Sequence, residues 1–323
     1  MFAVEVSRLR KVFRTREKAA GLKASFSGLV APRFRDVEAV AGIDLRIEPG
    51  ELLAFIGPNG AGKSTTIKML TGILHPTAGD ATVLGLVPWR ERQKLAFRIA
   101  SVFGQRSQLW YHLPPADSLD LLAHIYELEP GVYRARLREL VEQFEIGHLL
   151  QVPVRKLSLG ERMRCEIAGS LLHRPSIVFL DEPTIGLDVV AKQHIRRHIR
   201  ELNEREGTTV FLTSHDAGDV EQLCRRVVVI NHGKVMFDDS LAAMRQQFLR
   251  NMKRISLKLF SPLPAVQLPG VRVVHQDDYE LAVELDTSQV PIESAVAALM
   301  DGARVADISI EDPPLEDIIA AMY

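Results

Sequence analysis

The feature that most constrains this chain is the stretch at residues 57–65, which contains the full pattern G-x-x-x-x-G-K-[ST]. Its residues are Gly57, Pro58, Asn59, Gly60, Ala61, Gly62, Lys63, Ser64 and Thr65. An apolar run at 52–56 precedes it and a helical-looking run at 64–70 follows it, which predicts a strand, a tight loop and a helix. Glycines let such a loop curl with its N–H groups pointing inward, and the helix adds the positive end of its dipole. The sequence therefore predicts a phosphate-binding loop and a nucleotide site.

Two side chains of this loop have expected roles. Lys63 is expected to reach the β- and γ-phosphates, and Ser64 to place its hydroxyl on Mg²⁺. The alternative is an ordinary glycine-rich turn between a strand and a helix. At average residue usage the full pattern arises by chance in about one in a hundred chains of this size, so the nucleotide site is favoured.

Length and composition limit the remaining possibilities. The 323 residues fit a main domain of more than about 200 residues and a small second one. The net charge is −1, so no overall field attracts nucleic acid or an anionic membrane surface. The two cysteines, Cys165 and Cys224, form no disulfide framework and are predicted to be packing residues in a reducing compartment. An acid interrupts the first apolar run, and no apolar run approaches the roughly 18 residues of a membrane span, so neither a signal peptide nor a span is expected.

The first 50 residues predict two strands and an insertion. Residues 3–9 alternate like a strand that leads to Phe13, and residues 40–51 alternate before a Pro-Gly turn, as an antiparallel strand does. Residues 14–36 are rich in Arg, Lys, Gly and Ser and are expected to form an inserted loop. Its basic side chains indicate either a solvated surface, which is favoured, or contact with phospholipid head groups or a partner.

Two later apolar runs end in polar side chains that can act near phosphates. The run at 98–104 ends at Gln105, which either binds Mg²⁺ and the attacking water or caps a loop. The run at 208–214 ends at His215, which either holds the γ-phosphate, orients the water or is structural.

A third apolar run, at 176–180, ends in two acids, Asp181 and Glu182. Adjacent carboxylates at the edge of a parallel sheet lose hydration and need a cation. Asp181 fits the Mg²⁺ shell, and Glu182 fits the polarisation of a water for in-line attack on the γ-phosphorus. Such a pair is otherwise common in helix caps and turns, and its position downstream of the phosphate loop favours the catalytic interpretation.

Ser158 and Glu161 have the S-x-x-E spacing of a capping box, in which each side chain satisfies a backbone donor at a helix start. A well-made helix N-terminus is therefore one interpretation. The same helix start, with a serine hydroxyl and the close approach that Gly160 allows, is also an anion site able to take a γ-phosphate.

Two pairs of side chains outside these motifs are open to more than one interpretation. Trp110 and Tyr111 are aromatics in a polar loop, which indicates either a docking surface or a small core under the helical segment that follows. His194 and His198 have the four-residue spacing of metal ligands on a helix, but arginines surround them and no third ligand is evident. A metal site is therefore not expected at this histidine pair.

Taken in this order, the motifs resemble the ATP-binding cassette (ABC) ATPases over about the first 245 residues. The resemblance implies an α/β P-loop NTPase fold in residues 1–245, with a helical subdomain at about 106–170 and an N-terminal antiparallel sheet. It places Walker A on residues 57–65, the Q-loop on Gln105, the signature on 157–161, Walker B on 177–181, the catalytic glutamate on Glu182, the D-loop on 186–188 and the switch histidine on His215. The implied cofactors are ATP and Mg²⁺, with the metal held by Ser64, Gln105 and Asp181.

The family's dimeric state gives further residues a function by resemblance. Its members work as head-to-tail dimers, with ATP between one subunit's phosphate loop and the other's signature helix, so Ser158, Gly160 and Asp188 are expected at the nucleotide. The aromatic that stacks on adenine corresponds to Phe13, although the insertion after it lengthens its distance from Walker A. The common signature is Leu-Ser-Gly-Gly-Gln, whereas Leu159 and Glu161 replace a Gly and the Gln here.

Within the family, residues 103–110, the insertion and the signature resemble the ATPase subunits of ABC-2-type exporters, in the sodium-exporter-like and drug-resistance-like branch. The implied partners are a second copy or a paired ATPase subunit and integral membrane permease subunits of ABC-2 type, with no nucleic acid. The implied location is cytoplasmic, peripheral on the inner face of the cell membrane. The alternatives are an importer ATPase and a soluble ABC protein acting on ribosomes or DNA. One cassette without a long heptad run disfavours the soluble alternative.

Residues 251–323 lie beyond the cassette pattern. Alternating runs predict four short strands with a helix at 292–300 and a further segment after Pro313-Pro314. A small α+β domain is expected, similar to the C-terminal domains of drug-exporter-type ATPases, with regulation, dimer support and packing all open as its role.

Overall fold

The chain forms two compact units, Met1–Asp239 and Ser240–Tyr323, in a computed structural model that describes residues 1–16, 34–104, 107–249, 251–261, 268–301 and 303–322. The strands of the first unit are β1 (Val4–Arg16), β2 (Phe34–Ile47), β3 (Leu52–Ile56), β4 (Ala78–Val83), β5 (Ile99–Phe103), β6 (Ile177–Asp181), β7 (Thr209–Thr213), β8 (Arg226–Asn231) and β9 (Lys234–Ser240), the last of which ends at the boundary. Its helices are α1 (Lys63–Leu70), α2 (Arg92–Ala96), α3 (Pro115–Ile125), α4 (Pro130–Gln143), α5 (Leu159–Ser170), α6 (Val189–Glu206) and α7 (Ala217–Leu223).

A six-stranded sheet forms the centre of the first unit, with strand order β5-β6-β7-β3-β8-β9. The pairs from β5 to β8 are parallel, and β3 and β7 are buried along their whole length. Continuous apolar runs suit such strands because helices cover both faces of a parallel sheet. The rings of Phe55, Phe179 and Phe211 pack across three strands, with centroids 5.1 and 5.6 Å apart. This core fixes the positions at which β3, β6 and β7 end.

A second sheet, of order β2-β1-β4, is antiparallel in its described pairs. Its β1–β2 ladder runs on past the core to the pair Arg16 and Phe34, so the structure differs from the loop expected at 14–36 at both ends of that segment. The extension is a two-stranded ribbon with mostly exposed side chains, held by contacts such as Arg10 to Glu38 at 2.6 Å. Without a buried face it has no hydrophobic alternation to reveal it as strand. Residues 17–33 of the predicted insertion lie outside the described residues.

Three helices, α3 to α5, occupy the region predicted as a helical subdomain. Pro130 is the first residue of α4, where a missing N–H costs nothing, so this proline suits a helix start. α5 begins with the predicted capping box. Cys165 and Cys224 are both buried, and burial raises the pKa of each thiol, that of Cys165 to about 12, which agrees with their prediction as packing residues.

The second unit contains a four-stranded antiparallel sheet of order β11-β12-β10-β13. Its elements are α8 (Leu241–Leu249), β10 (Met252–Leu259), β11 (Val271–Gln276), β12 (Glu280–Asp286), α9 (Ile292–Met300), β13 (Val305–Glu311) and α10 (Leu315–Ala321). Leu257, Val283 and Leu299 are among the buried side chains that join the sheet to α9. Among the described residues of both units, no helix is long and apolar enough to cross a membrane.

Candidate active site

The loop between β3 and α1 takes a backbone path that requires glycine at two positions. Gly62 has φ of 111° and caps α1, and a Cβ there would lie 2.4 Å from the carbonyl oxygen of Ala39. A Cβ on Gly57 would lie 2.1 Å from the carbonyl oxygen of Ile230. Since real Cβ atoms do not approach so closely, the pattern's two invariant glycines are required by packing as well as by the turn. The loop therefore directs the N-terminus of α1 into the adjoining cavity.

Lys63 lies inside this loop with 5% of its surface exposed. Its ammonium group donates to the carbonyl oxygens of Gly57 at 2.6 Å and Pro58 at 3.2 Å, lies 3.0 Å from Nε2 of His215, and is 4.0 Å from a Glu182 carboxylate oxygen. Burial lowers the pKa of Lys63 from its ordinary value, and the carboxylates of Glu182 and Asp181 act in the opposite direction. The ammonium group is thus held by weak neutral acceptors that phosphate oxygens can replace.

Asp181 ends β6 and gathers two hydroxyl groups on one carboxylate oxygen, Oδ1. Ser64 donates to it at 3.2 Å from the first turn of α1, and Thr213 donates at 2.7 Å from the end of β7. β6 and β7 are neighbouring parallel strands in register at Asp181 and Thr213, so their carboxyl ends must meet. This is a compact group of oxygen ligands of the kind that hard divalent cations take.

Glu182 and His215 form the second part of the site, with Glu182 Oε1 2.7 Å from Nε2 of His215. Glu182 has φ of 56°, the left-handed region that is unusual for a residue other than glycine. Its N–H donates to both oxygens of Thr213, each at 3.1 Å, and a Cβ on neighbouring Gly104 would lie 2.3 Å from the Glu182 carbonyl oxygen. Strained conformations of this kind persist where the surroundings fix them, and they cluster at functional sites.

A cavity of about 650 Å³ adjoins these groups. Its lining includes the phosphate loop from Asn59 to Thr65, Gly104, and both Asp181 and Glu182. This volume is in the range of small-molecule and cofactor sites. Phe13 does not lie among the described lining residues; its ring is in β1, with the Lys11 ammonium group 5.2 Å from the ring centroid. The role expected for Phe13 at the adenine therefore stays a prediction. Gln105 lies outside the described residues, so its expected role also stays a prediction.

The signature residues lie at a different cavity, of about 510 Å³. Ser158 caps α5, accepting from the N–H of Glu161 at 3.3 Å while Glu161 accepts from the N–H of Ser158 at 2.8 Å, which confirms the capping box. Asp188 caps α6 by accepting from the N–H of Ala191 at 2.8 Å. Gly160 lies against the same turn, because a Cβ there would be 2.9 Å from Ala191 Cβ.

The predicted site residues therefore fall into two groups, one at the phosphate loop and one at the signature helix. The described residues that line the two cavities share no member. Lys63, Ser64, Asp181, Glu182 and His215 are mutual neighbours, whereas the signature helix and the start of α6 form their own surface.

Sequence reasoning missed Thr213 and Gly104, which contact the acids at the end of β6. Thr213 offered one signal, a polar residue two positions before His215 at the end of an apolar strand. Gly104 precedes Gln105 and offered the signal of a glycine directly after a strand, which marks close backbone approach.

A phosphate loop after a central parallel strand, with acids at the end of a nearby strand, defines the P-loop nucleoside triphosphatases. The comparison with known proteins narrows this class. A family model described as ABC transporter matches residues 40–185. The chain is 31% identical over 291 residues to the daunorubicin resistance ATP-binding protein DrrA3 of Streptomyces coeruleorubidus, spanning 88% of this chain and 91% of that protein. It is 32% identical over 216 residues to the ABC transporter ATP-binding protein NatA of Bacillus subtilis, spanning 66% and 87%.

The fold comparison agrees. The dimeric post-hydrolysis state of the ATP-binding cassette MJ0796, bound to ADP and Pi, superposes with a TM-score of 0.62 at 23% identity, covering 74% of this chain and 98% of that one. The chain belongs to the ABC transporter family as an ATP-binding subunit, and it is an ATPase whose ATP hydrolysis drives transport. The fold class and the family predicted from the sequence are confirmed.

Proposed function

We propose that this chain is the motor subunit of an exporter, in which two copies, or this chain and a paired ATPase subunit, close around ATP and reopen after hydrolysis to drive a separate membrane permease. The names of its relatives support the exporter direction, since DrrA3 is a daunorubicin resistance ATP-binding protein. An importer ATPase is the alternative within the same family.

The clustered side chains support a division of roles in hydrolysis. Lys63 binds the β- and γ-phosphates when they displace the loop carbonyls from its ammonium group. Glu182 is the base that polarises the attacking water, and His215, 2.7 Å from it, orients Glu182 and contacts the γ-phosphate. Gln105, which follows β5 by two residues in the sequence, is the further side chain that we assign to the attacking water. Because β5, β6, β7 and β3 are consecutive in the sheet, all these groups follow strands that end at one edge.

The oxygen ligands around Asp181 fit a magnesium ion. Ser64 Oγ lies 3.2 Å from Asp181 Oδ1, and both oxygens face the cavity that the phosphate loop lines. Ser64, Asp181 and Gln105 would hold the metal. When bound, Mg²⁺ neutralises the negative charge that develops on the transferred phosphoryl group.

The separation of the two cavities supports head-to-tail pairing. Within one copy the phosphate loop and the signature helix line different cavities, so Ser158, Gly160 and Asp188 complete a nucleotide site only on another subunit. The MJ0796 cassette is itself dimeric. The N-terminus of α5 then adds N–H groups and a positive dipole end to the γ-phosphate side of the ATP.

Exposed apolar side chains in α3 and in the loop before it support contact with the permease. Trp110 and Tyr111 are 51% and 55% exposed, and Leu113 and Ile125 are also exposed. These side chains lie in α3 or shortly before it, and they follow Gln105 in the sequence. A protein bound there would therefore contact the part of the chain that comes directly after the proposed water ligand. The location that follows is the cytoplasmic face of the membrane, with the chain held there by its permease.

The chemistry is tested with the Glu182→Gln and Lys63→Ala variants of the full chain. E182Q should bind ATP as the wild type does and lose turnover by about a hundredfold or more, because general base catalysis contributes about 10²- to 10⁴-fold. K63A should weaken ATP binding in an equilibrium titration with a fluorescent ATP analogue. Glu142→Gln, at an exposed glutamate of α4, is the matched control. Wild-type hydrolysis by E182Q would show that Glu182 is not the base.

The transport role is tested by tagging the chain in its native host, solubilising membranes gently and identifying what copurifies. Integral permease subunits of ABC-2 type would support the exporter. A permease that copurifies with a substrate-binding protein would support the importer alternative. Recovery of ribosomes, or of no membrane protein, would contradict the exporter proposal and leave the ATPase chemistry standing.

A further inference from the structure

A buried carboxylate lies behind the catalytic residues, on the short helix that follows His215. Asp219 of α7 has none of its surface exposed. It accepts hydrogen bonds from Thr184 Oγ1 at 2.5 Å, from Ser214 Oγ at 2.5 Å and from Arg196 Nε at 2.7 Å. A buried charge is destabilising unless it is paired and hydrogen-bonded. The three donors supply those contacts to the Asp219 carboxylate.

Two of these three donors belong to the segments that carry the active-site side chains. Thr184 lies two residues after Glu182, and Ser214 directly precedes His215. Both hydroxyl-bearing residues are 3% exposed. One carboxylate therefore ties the turn after β6 to the turn after β7, and the two residues that those turns carry, Glu182 and His215, meet at 2.7 Å.

The conformation of Glu182 requires such a tie. Its φ of 56° is left-handed, and a residue other than glycine keeps this conformation where its neighbours fix it. On its N-terminal side the Glu182 N–H is held by Thr213. On its C-terminal side the anchor is the hydroxyl of Thr184 on Asp219.

Arg196 connects the same cluster to α6, the helix that begins at Asp188. Its Nε donates to Asp219 at 2.7 Å and its Nη2 to Asp216 at 3.0 Å, and the Arg196 side chain is 10% exposed. Lys192, one turn earlier on α6, donates to the other oxygen of Asp216 at 2.5 Å. The rigid guanidinium fork thereby fixes two acids of the turn and helix after His215 relative to α6.

We propose that Asp219 and Arg196 are positioning residues for ATP hydrolysis, which hold Glu182 and His215 in the geometry that activates water. This inference rests on the proposed roles of Glu182 and His215. It predicts that loss of a tie lowers the rate of hydrolysis while nucleotide binding persists, since Lys63 and the phosphate loop are held by other contacts.

The test uses the full chain and the variants Thr184→Val and Thr184→Ser. Valine has the shape of threonine without the hydroxyl, so T184V removes the tie to Asp219 and leaves both partners of the ion pair in place. T184S keeps the hydroxyl and is the matched control. Asp219→Asn, which keeps the size of the side chain and removes its charge, is the second variant.

For T184V and D219N we expect kcat to fall by at least about tenfold and by up to about a hundredfold, which is the effect of misplacing a catalytic group by about 1 Å. The KM for ATP and the dissociation constant of a fluorescent ADP analogue should stay within about twofold, and T184S should restore kcat. Rates are divided by the concentration of nucleotide-binding molecules, so a loss of folded protein does not count as a loss of kcat.

Three outcomes are decisive when E182Q is measured alongside. If E182Q loses turnover and T184V loses kcat with unchanged KM, the inference stands. If E182Q loses turnover while T184V and D219N keep the wild-type kcat per binding molecule, the cluster is structural and this inference alone is overturned. If E182Q itself hydrolyses at the wild-type rate, the proposed base and the positioning pair are both wrong.

Discussion

His198 of α6 is a buried imidazole that makes the stability of the ATPase unit depend on pH. It is 1% exposed, packs on the ring of Phe144 at a centroid distance of 4.5 Å, and has no hydrogen-bond partner for either ring nitrogen among the described residues. Burial lowers the pKa of His198 from 6.5 to about 4, and the positive charge of Arg197 acts in the same direction. The imidazole is thus neutral in the folded chain at pH 5, where it is charged in the unfolded chain.

The sign and size of the effect follow from proton linkage. Because the folded pKa is the lower one, the unfolded state binds the proton first, and stability falls as pH drops through 6.5 towards 4. With those two pKa values, the free energy of unfolding falls by about 2 kcal/mol between pH 7 and pH 5 through this residue alone. His198→Leu removes the titrating group, and leucine fills a similar volume against Phe144. The pH 7 to pH 5 loss should therefore be about 2 kcal/mol smaller in H198L than in the wild type.

The assay is urea unfolding of both proteins at pH 7 and pH 5, followed by tryptophan fluorescence. Both tryptophans, Trp89 and Trp110, lie in the first unit, so the signal reports that unit. The change in the free energy of unfolding from pH 7 to pH 5 is compared between the two proteins, so the contributions of the other titrating groups cancel. His112→Leu, at an exposed imidazole, is the control for loss of a surface histidine. Equal pH dependence in H198L and the wild type would refute the assignment of the buried neutral imidazole.

Two further predictions concern the packing that holds the site. Arg136→Met should destabilise the first unit by about 2 kcal/mol in urea unfolding, because the guanidinium group of Arg136, which is 3% exposed, bridges α4 to Glu206 of α6 by two charge-assisted hydrogen bonds of 2.9 Å. The double change R136M with Glu206→Met should cost less than the sum of the two single changes, and full additivity would show that the pair is not coupled. Gly104→Ala should lower kcat more than it lowers the affinity for ATP, because the added Cβ would lie 2.3 Å from the Glu182 carbonyl oxygen and would displace the base. An unchanged kcat would show that the backbone at this turn relaxes without moving Glu182.

The side chains of the site could be predicted from the sequence because each one follows an apolar run whose length suits a strand. The apolar runs that the sequence shows before Lys63, Asp181 and His215 are the strands β3, β6 and β7. Their order in the sheet could not be derived from spacing, since parallel neighbours are joined by long crossovers and not by adjacency in the chain.

The elements that were missed have side-chain patterns without a clear period. The ribbon formed by Arg14–Arg16 and Phe34–Asp36 has no buried face, so its alternation carries no signal. The cluster at Asp219 was hidden for another reason: Lys192, Arg196 and Asp216 are charged residues at helical positions, and a charged helix face is usually solvated. Burial of Arg196 and Asp219 is a tertiary fact, which depends on α6 and α7 packing together.

The unusual signature shows how one local structure can serve two interpretations that the sequence left open. Glu161 stands where the family pattern has glutamine, and its carboxylate is engaged by the N–H of Ser158, which lowers the pKa of Glu161 and keeps it ionised. Ser158 Oγ in turn accepts from the N–H of Glu161, and a hydroxyl that accepts one bond keeps its own hydrogen to donate. Capping α5 and donating to an anion are therefore compatible, because the cap uses an oxygen lone pair and the anion would use the proton. The acid at 161 serves the cap, so its negative charge is directed at the backbone of its own helix.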